Sequence, residues 1–169
     1  LHGPVLSDNL GYYLDLYNTW SSYQPESKGV FIAYASIHGN TAYAAEQFAE
    51  MLRNKGVDNV VITDLSRCDI AEAEDAFRYD RMVLAAASYD AGVFPIMQDF
   101  LHHLQAKAFQ NRTVGLIENG SWAPTAAKTM RNILETMKNI TIVEPVVTIK
   151  SVLKETDIPA LDQLADALK

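Results

Sequence analysis

Cysteine is nearly absent. Cys68 stands alone among 169 residues, so no disulfide can close within the chain, and a reducing, cytoplasmic setting is expected. A lone cysteine usually serves as a small buried hydrophobe, and Cys68 is read that way. Positive charge is scarce too: 14 Lys and Arg face 21 Asp and Glu, a net charge of −7. That balance argues against nucleic acid, whose phosphates need a basic surface. No apolar run approaches the ~18 residues that span a bilayer, so no membrane partner is expected. The first residue is Leu1 rather than Met, with no basic and apolar signal segment behind it. The chain therefore reads as a piece of a longer protein.

Two phosphate-binding signatures are missing as well. There is neither a G-x-G-x-x-G fingerprint nor a G-K-[ST] loop. What remains is ordinary: 49% apolar and 21% charged residues suit one globular domain with a real core.

The residues from Val5 to Trp20 read as a helix, with Leu6, Leu10, Tyr13, Tyr17 and Trp20 recurring at steps of three and four. Packing of this helix on its own domain is expected in preference to a dimer contact. The polar stretch from Ser21 to Lys28 contains Pro25 and reads as a linker. A βα alternation starts at Gly29. Strands are expected at Val30–Ala35, Val60–Thr63, Met82–Ala87, Thr113–Ile117 and Thr141–Ile149. Helices are expected from Thr41 to Asn54, from Asp69 to Phe77 with an Asp69–Glu72 capping pair, from Pro95, from Pro124 to Met137, and from Asp157 to about Leu168. The strands are apolar throughout rather than alternating, which means burial on both faces. The expected fold is α/β, a doubly wound five-stranded parallel sheet in the order 2-1-3-4-5 with helices on both faces. Pro145 cannot donate to a ladder and places the fifth strand at an edge.

That order brings three loops to the carboxyl edge of the sheet. The first is Ser36, Ile37, His38, Gly39, Asn40 and Thr41. Free N–H groups at a helix N-terminus, hydroxyls and a glycine make a phosphate pocket there without any Lys or Arg. The plain alternative is a βα turn with Thr41 as its N-cap. The second is Ser88, Tyr89, Asp90, Ala91, Gly92, Val93 and Phe94, with Gly92 suited to positive φ or a peptide flip. The third is Asn119, Gly120, Ser121 and Trp122, followed by Ala123. Tyr89 and Trp122 on opposite loops suggest a flat aromatic ligand. His102 and His103 are neighbours in one helix and read as surface residues.

The segments S-I-H-G-N-T, S-Y-D-A-G-V-F-P and N-G-S-W-A-P resemble the FMN-binding loops of the flavodoxin family, over Gly29 to Lys169. The opening L-H-G-P and the helix ending Y-N-T-W-S are similar to the junction in flavodiiron proteins. There a metallo-β-lactamase-like domain precedes a flavodoxin-like one. The resemblance implies residues 1–28 as an inter-domain helix and linker and residues 29–169 as an FMN-binding domain, with His2 matching an iron-ligand histidine. It also implies FMN as cofactor and electron transfer to a diiron centre that reduces dioxygen or nitric oxide. The implied partners are rubredoxin or an NAD(P)H reductase, a diiron domain of the parent, and a second copy in a homodimer. His38 stands where the family usually has Thr or Ser, and Asp90 where it often has Thr or Asn. Asp90 is expected to lower the second-electron potential of a bound flavin by like-charge repulsion. The rival readings are an NAD(P)H-dependent FMN or quinone reductase and a flavin-free scaffold domain. A receiver domain lacks its acidic first loop here, and a low-molecular-weight phosphatase its cysteine nucleophile.

Overall fold

The computed structural model describes residues 3–169, without the side chains of 70–72. His2 and the Asp69–Glu72 capping pair therefore lie outside the described residues and side chains.

Helix α1 (Leu10–Ser21) leads into β1 (Ser27–Ala35), α2 (Asn40–Asn54), β2 (Val60–Asp64), α3 (Ile70–Arg78) and β3 (Tyr79–Tyr89). A two-residue strand β4 (Gly92–Val93) follows, then α4 (Pro95–Ala106), β5 (Arg112–Asn119) and α5 (Ala126–Leu134). Strands β6 (Ile140–Ile142) and β7 (Val147–Ile149) and helix α6 (Ile158–Ala167) complete the chain. The sheet runs β2-β1-β3-β5-β6, with β7 also on β5. All of these pairings are parallel. The expected 2-1-3-4-5 order is thus observed, with the fifth position shared by two short strands. The single strand expected over Thr141–Ile149 is interrupted around Pro145, which has no N–H to give. Glu144 is bent back there to accept from Val146 N at 2.9 Å and from Arg131 at 2.6 Å.

The strands are apolar on both faces because each face has its own core. Phe31, Ala33, Leu84, Ala86, Val114 and Leu116 pack with α3, α4 and α5. Val30, Ile32, Val83, Ala85 and Ile117 pack with α2 and α6. Side chains alternate across the sheet, so consecutive residues of one strand serve opposite cores. Burying both faces fixes the register, and it sets β1, β3 and β5 so that they end side by side.

Three expectations change. Cys68 is half-buried rather than enclosed; it touches the core while lining surface cavities. Strand β1 takes in Ser27 and Lys28 from the stretch read as linker. Helix α1 does not pack on its domain: none of its residues is buried, and Leu10, Tyr12, Leu14, Tyr17 and Trp20 are each more than half exposed. The amphipathic pattern is real, but no element of the described residues lies over it. Only its C-terminal end is tied down. Trp20 Nε1 donates to Glu26 at 2.6 Å, Glu26 N to Arg78 O at 2.9 Å, and Arg112 to Tyr23 O at 2.9 Å.

His103 bridges to Glu74 at 2.9 Å, and Lys107 reaches the same carboxylate at 2.6 Å, tying α3 to α4. Burial pushes the Glu74 carboxyl up, and the Lys107 and His103 hydrogen bonds outweigh it, so it titrates below its ordinary range. A carboxyl depressed in the folded state adds stability that is present above the unfolded value and lost as pH falls through the folded one. Wild type is expected to lose more stability than Glu74→Gln on going from pH 7 to pH 3, as read by urea midpoints at each pH.

Candidate functional site

The carboxyl ends of β1, β3 and β5 open into two adjoining cavities. One, of ≈ 260 Å³, is lined by the phosphate-type loop (Ser36, Ile37, His38, Asn40, Thr41) and by Ala87, Ser88, Asn119, Gly120, Ser121 and Ser151. The other, of ≈ 400 Å³, lies among Ser88–Ala91 and Gly120–Ala123, with Thr125. Ser88, Gly120 and Ser121 belong to both, so the two form one groove.

The first loop is built as an anion cradle. Gly39, at φ +88, is the N-cap of α2, so the helix begins at Asn40 and Thr41 falls inside its first turn. Thr41 is therefore not the N-cap. A left-handed N-cap is a conformation that glycine takes without strain. Ser36 Oγ accepts from Gly39 N at 3.1 Å and closes the turn. Tyr43 N bonds to Gly39 O at 2.9 Å. The N–H groups of Ile37, His38, Asn40, Thr41 and Ala42 have no protein acceptor among the described residues. Thr41 is 2% exposed and lines the cavity, and its hydroxyl has no protein partner among those residues either. Converging N–H groups at a helix N-terminus suit a phosphate without a cationic side chain. His38 is exposed on the rim.

The second loop is a tight hairpin, with Tyr89 paired to Gly92 and Ser88 to Val93. Positive φ falls at Asp90 (48°) and Ala91 (55°), not at Gly92. A two-residue hairpin of this twist needs both central residues left-handed, which leaves Gly92 as a strand residue. Val93 is buried in the core and Phe94 packs beneath Tyr89, with ring centroids 5.9 Å apart. These two support the loop from behind and do not line the groove, whereas Ser88, Tyr89, Asp90 and Ala91 do.

The third loop is braced against the second. Ser88 Oγ accepts from Thr125 N at 2.9 Å and Ala126 N at 3.2 Å, and Thr125 Oγ1 donates to Gly92 O at 2.8 Å. The buried Glu118 carboxylate accepts from Ala127 N and from Thr148 Oγ1, each at 2.8 Å. The start of α5 is therefore already satisfied, in contrast to that of α2. Trp122 is 97% exposed and Tyr89 51%, two bare aromatic rings at the lips of the groove. A Cβ on Gly120 would stand 2.9 Å from Ser88 Oγ and 3.0 Å from Pro124 Cα. Gly120→Ala is accordingly expected to force the second and third loops apart and weaken ligand binding at least tenfold, measured as Kd by titration.

The sequence reading missed Ala87, Ser151 and Thr125. Ala87 and Thr125 flank loops it had identified. Ser151 follows the last strand, so a fourth carboxyl-edge loop was the available signal.

A family model, the flavodoxin domain, matches residues 31–152. The chain belongs to the flavodoxin-domain family. The match contains all three loops, and FMN is the cofactor that goes with this membership. The groove's chemistry fits: unpartnered N–H groups for a phosphate at one end, and uncovered aromatic rings for a planar ring system at the other. Among solved structures, rubredoxin oxygen:oxidoreductase from Desulfovibrio gigas matches with a TM-score of 0.86 at 19% identity, over 95% of this chain and 40% of that one. The flavodiiron protein from Giardia intestinalis matches at 0.82 and 16%, over 96% and 40%. A short-chain flavodoxin associated with a bacterial microcompartment matches at 0.72 and 23%, over 84% and 97%. This flavodoxin-family chain thus spans about 40% of the length of the oxidoreductase. No curated protein sequence matches it. Among the described residues no helix is long and apolar enough to cross a membrane.

Proposed function

We propose that this domain is an FMN-based electron carrier and that it serves the diiron site of a flavodiiron-type parent. The observation that carries the first part is the anion cradle of unpartnered N–H groups and the Thr41 hydroxyl, joined in one groove to the two exposed aromatics. The second part is supported by coverage: the two-domain flavodiiron structures match nearly the whole chain, and the free-standing flavodoxin a smaller share. The difference is about the size of α1 and its linker. The uncovered apolar side chains of α1 agree with a helix that another domain covers. Residues 1–28 are, on this reading, the junction and residues 29–169 the carrier, with rubredoxin or an NAD(P)H reductase as donor and a homodimer as the assembled form.

FMN, when bound, supplies the electron-accepting ring. The chain's own residues hold and tune it. The first loop holds the phosphate through neutral donors, and Tyr89 and Trp122 flank the ring and exclude water. Asp90 is exposed on the hairpin and sets a negative charge beside the groove. A negative neighbour opposes the addition of electrons, so Asp90→Asn is expected to raise the midpoint potential of the loaded domain. Solvent screening keeps the rise to tens of millivolts at most. Spectroelectrochemical titration reads it, and unchanged potentials would remove Asp90 from this role.

The deciding experiment is the visible absorption spectrum of the purified domain before and after incubation with FMN and desalting. Retained flavin bands are expected, with no oxidation of NADH or NADPH by the loaded domain alone. Absence of flavin under both conditions would overturn the carrier reading in favour of a scaffold. Direct nicotinamide oxidation would replace it with a reductase.

A further inference from the structure

Ser151 begins the loop after β7 and stands at φ +67, a left-handed conformation that is strained for a non-glycine residue. Asn119 holds it there from both sides. Asn119 Nδ2 donates to Ser151 O at 2.8 Å, and Ser151 N donates to Asn119 Oδ1 at 3.0 Å. Asn119 itself is 7% exposed and Ser151 is exposed, so the bracket ties a surface residue to a buried amide. The adjoining Gly120 N bonds to Ile149 O at 3.0 Å and ties the same two segments again. The Ser151 hydroxyl contributes nothing to this: it has no hydrogen-bond partner among the described residues. Yet Ser151 lines the cavity that contains the first loop and Thr41, and not the one between Tyr89 and Trp122. Ser151 is thus a residue of the cavity lining whose backbone is fixed by a buried amide and whose hydroxyl is free of protein partners among the described residues, so it is available to a ligand.

We propose that Ser151 is a further cofactor contact on a fourth carboxyl-edge loop. Its hydroxyl hydrogen-bonds the ribityl-phosphate tail of FMN, and Asn119 is the positioning residue that aims it. This rests on the FMN reading of the groove and adds to it a contact outside the three loops. The tail, not the ring, is the target because of which cavity Ser151 lines. Backbone strain is then the cost of turning the hydroxyl inward.

The test measures FMN affinity, by quenching of flavin fluorescence, for wild type, Ser151→Ala, Ser151→Gly, Asn119→Ala and the Asn119→Ala/Ser151→Ala double variant, with the thermal midpoint of each unloaded protein. One lost hydrogen bond predicts about 3- to 10-fold weaker FMN binding for both Ser151 variants. Ser151→Gly relieves the left-handed strain, so its midpoint is expected to match or exceed that of wild type while its affinity falls. That combination cannot come from general damage to the loop. In the Asn119→Ala background, adding Ser151→Ala is expected to have no further effect, because the hydroxyl is no longer aimed. FMN binding within twofold of wild type in both Ser151 variants would overturn the proposal. So would an undiminished Ser151→Ala effect without Asn119, which would overturn the positioning role. If Asn119→Ala does not fold, Ser151→Gly decides alone. Failure of wild type to bind FMN would sink the cofactor reading itself and is thus distinguishable.

Discussion

Arg112→Ala is expected to lower the unfolding free energy by about 3–5 kcal/mol, more than any other single polar substitution considered for this chain. Arg112 is 4% exposed at the start of β5, and its guanidinium holds four carbonyls. Nη1 donates to Tyr23 O at 2.9 Å, Gln110 O at 3.0 Å and Asn111 O at 3.2 Å, and Nη2 to Phe77 O at 2.6 Å. Its carbon stands 5.7 Å from the Phe109 ring centre. Burial pushes its pKa down from the ordinary value, and Asp80 opposes that with a favourable charge. Nε is buried without a partner, so the site is not a perfect fit even for arginine. Truncation removes the donors from four carbonyls at once and leaves a hole among them. Lysine has three donors on a point charge and cannot match the fork, so Arg112→Lys should recover only part of the loss. Urea midpoints at constant m-value measure it. Arg112 begins β5 and Asn119 ends it, so FMN affinity of the folded fraction should not change. An effect confined to FMN affinity, with an unaltered urea midpoint, would contradict the structural role.

The second large effect is on the ligand alone. Trp122→Ala is expected to weaken FMN binding about 5- to 150-fold and to leave the thermal midpoint of the unloaded protein unchanged. Trp122 is 97% exposed, so it contributes almost no burial to the fold. Stacking of a planar ring on an aromatic side chain amounts to about 1–3 kcal/mol by truncation. Trp122→Phe keeps a ring and should retain much of the affinity. Thr41→Ala makes the contrasting case: its hydroxyl is buried at the cradle, and its loss should add to that of Trp122 because the two residues lie at opposite ends of the groove. Unchanged affinity in the double variant would mean that FMN does not use this groove.

The sheet order was legible because its causes are local. Val30–Ala35 and Met82–Ala87 are apolar at every position, which only a strand covered on both faces requires. What was not legible depends on partners distant in sequence. The helical pattern of α1 can be read from spacing, but spacing does not say whether anything lies over the helix. Gly92 reads as suited to positive φ or a peptide flip because glycine is free to do either. The hairpin needs that conformation one and two residues earlier, and Asp90 and Ala91 supply it at a cost in strain. Thr41 stands two residues past the N-cap because Gly39 starts the helix earlier. The loop that carries Ser151 is legible as a fourth carboxyl-edge loop, but its bracket to Asn119, thirty-two positions away, is not.

The anion cradle holds its guest with dipoles and contains no side-chain cation. The guest's own negative charge adds to the protein's surplus of acid. Loading should make the molecule measurably more acidic, and the filled form should elute from an anion-exchange column at higher salt than the empty one. Phosphate recognition here involves no paired cation, so affinity should fall little between low and moderate ionic strength. A site built on lysine or arginine would lose affinity more steeply as ionic strength rises.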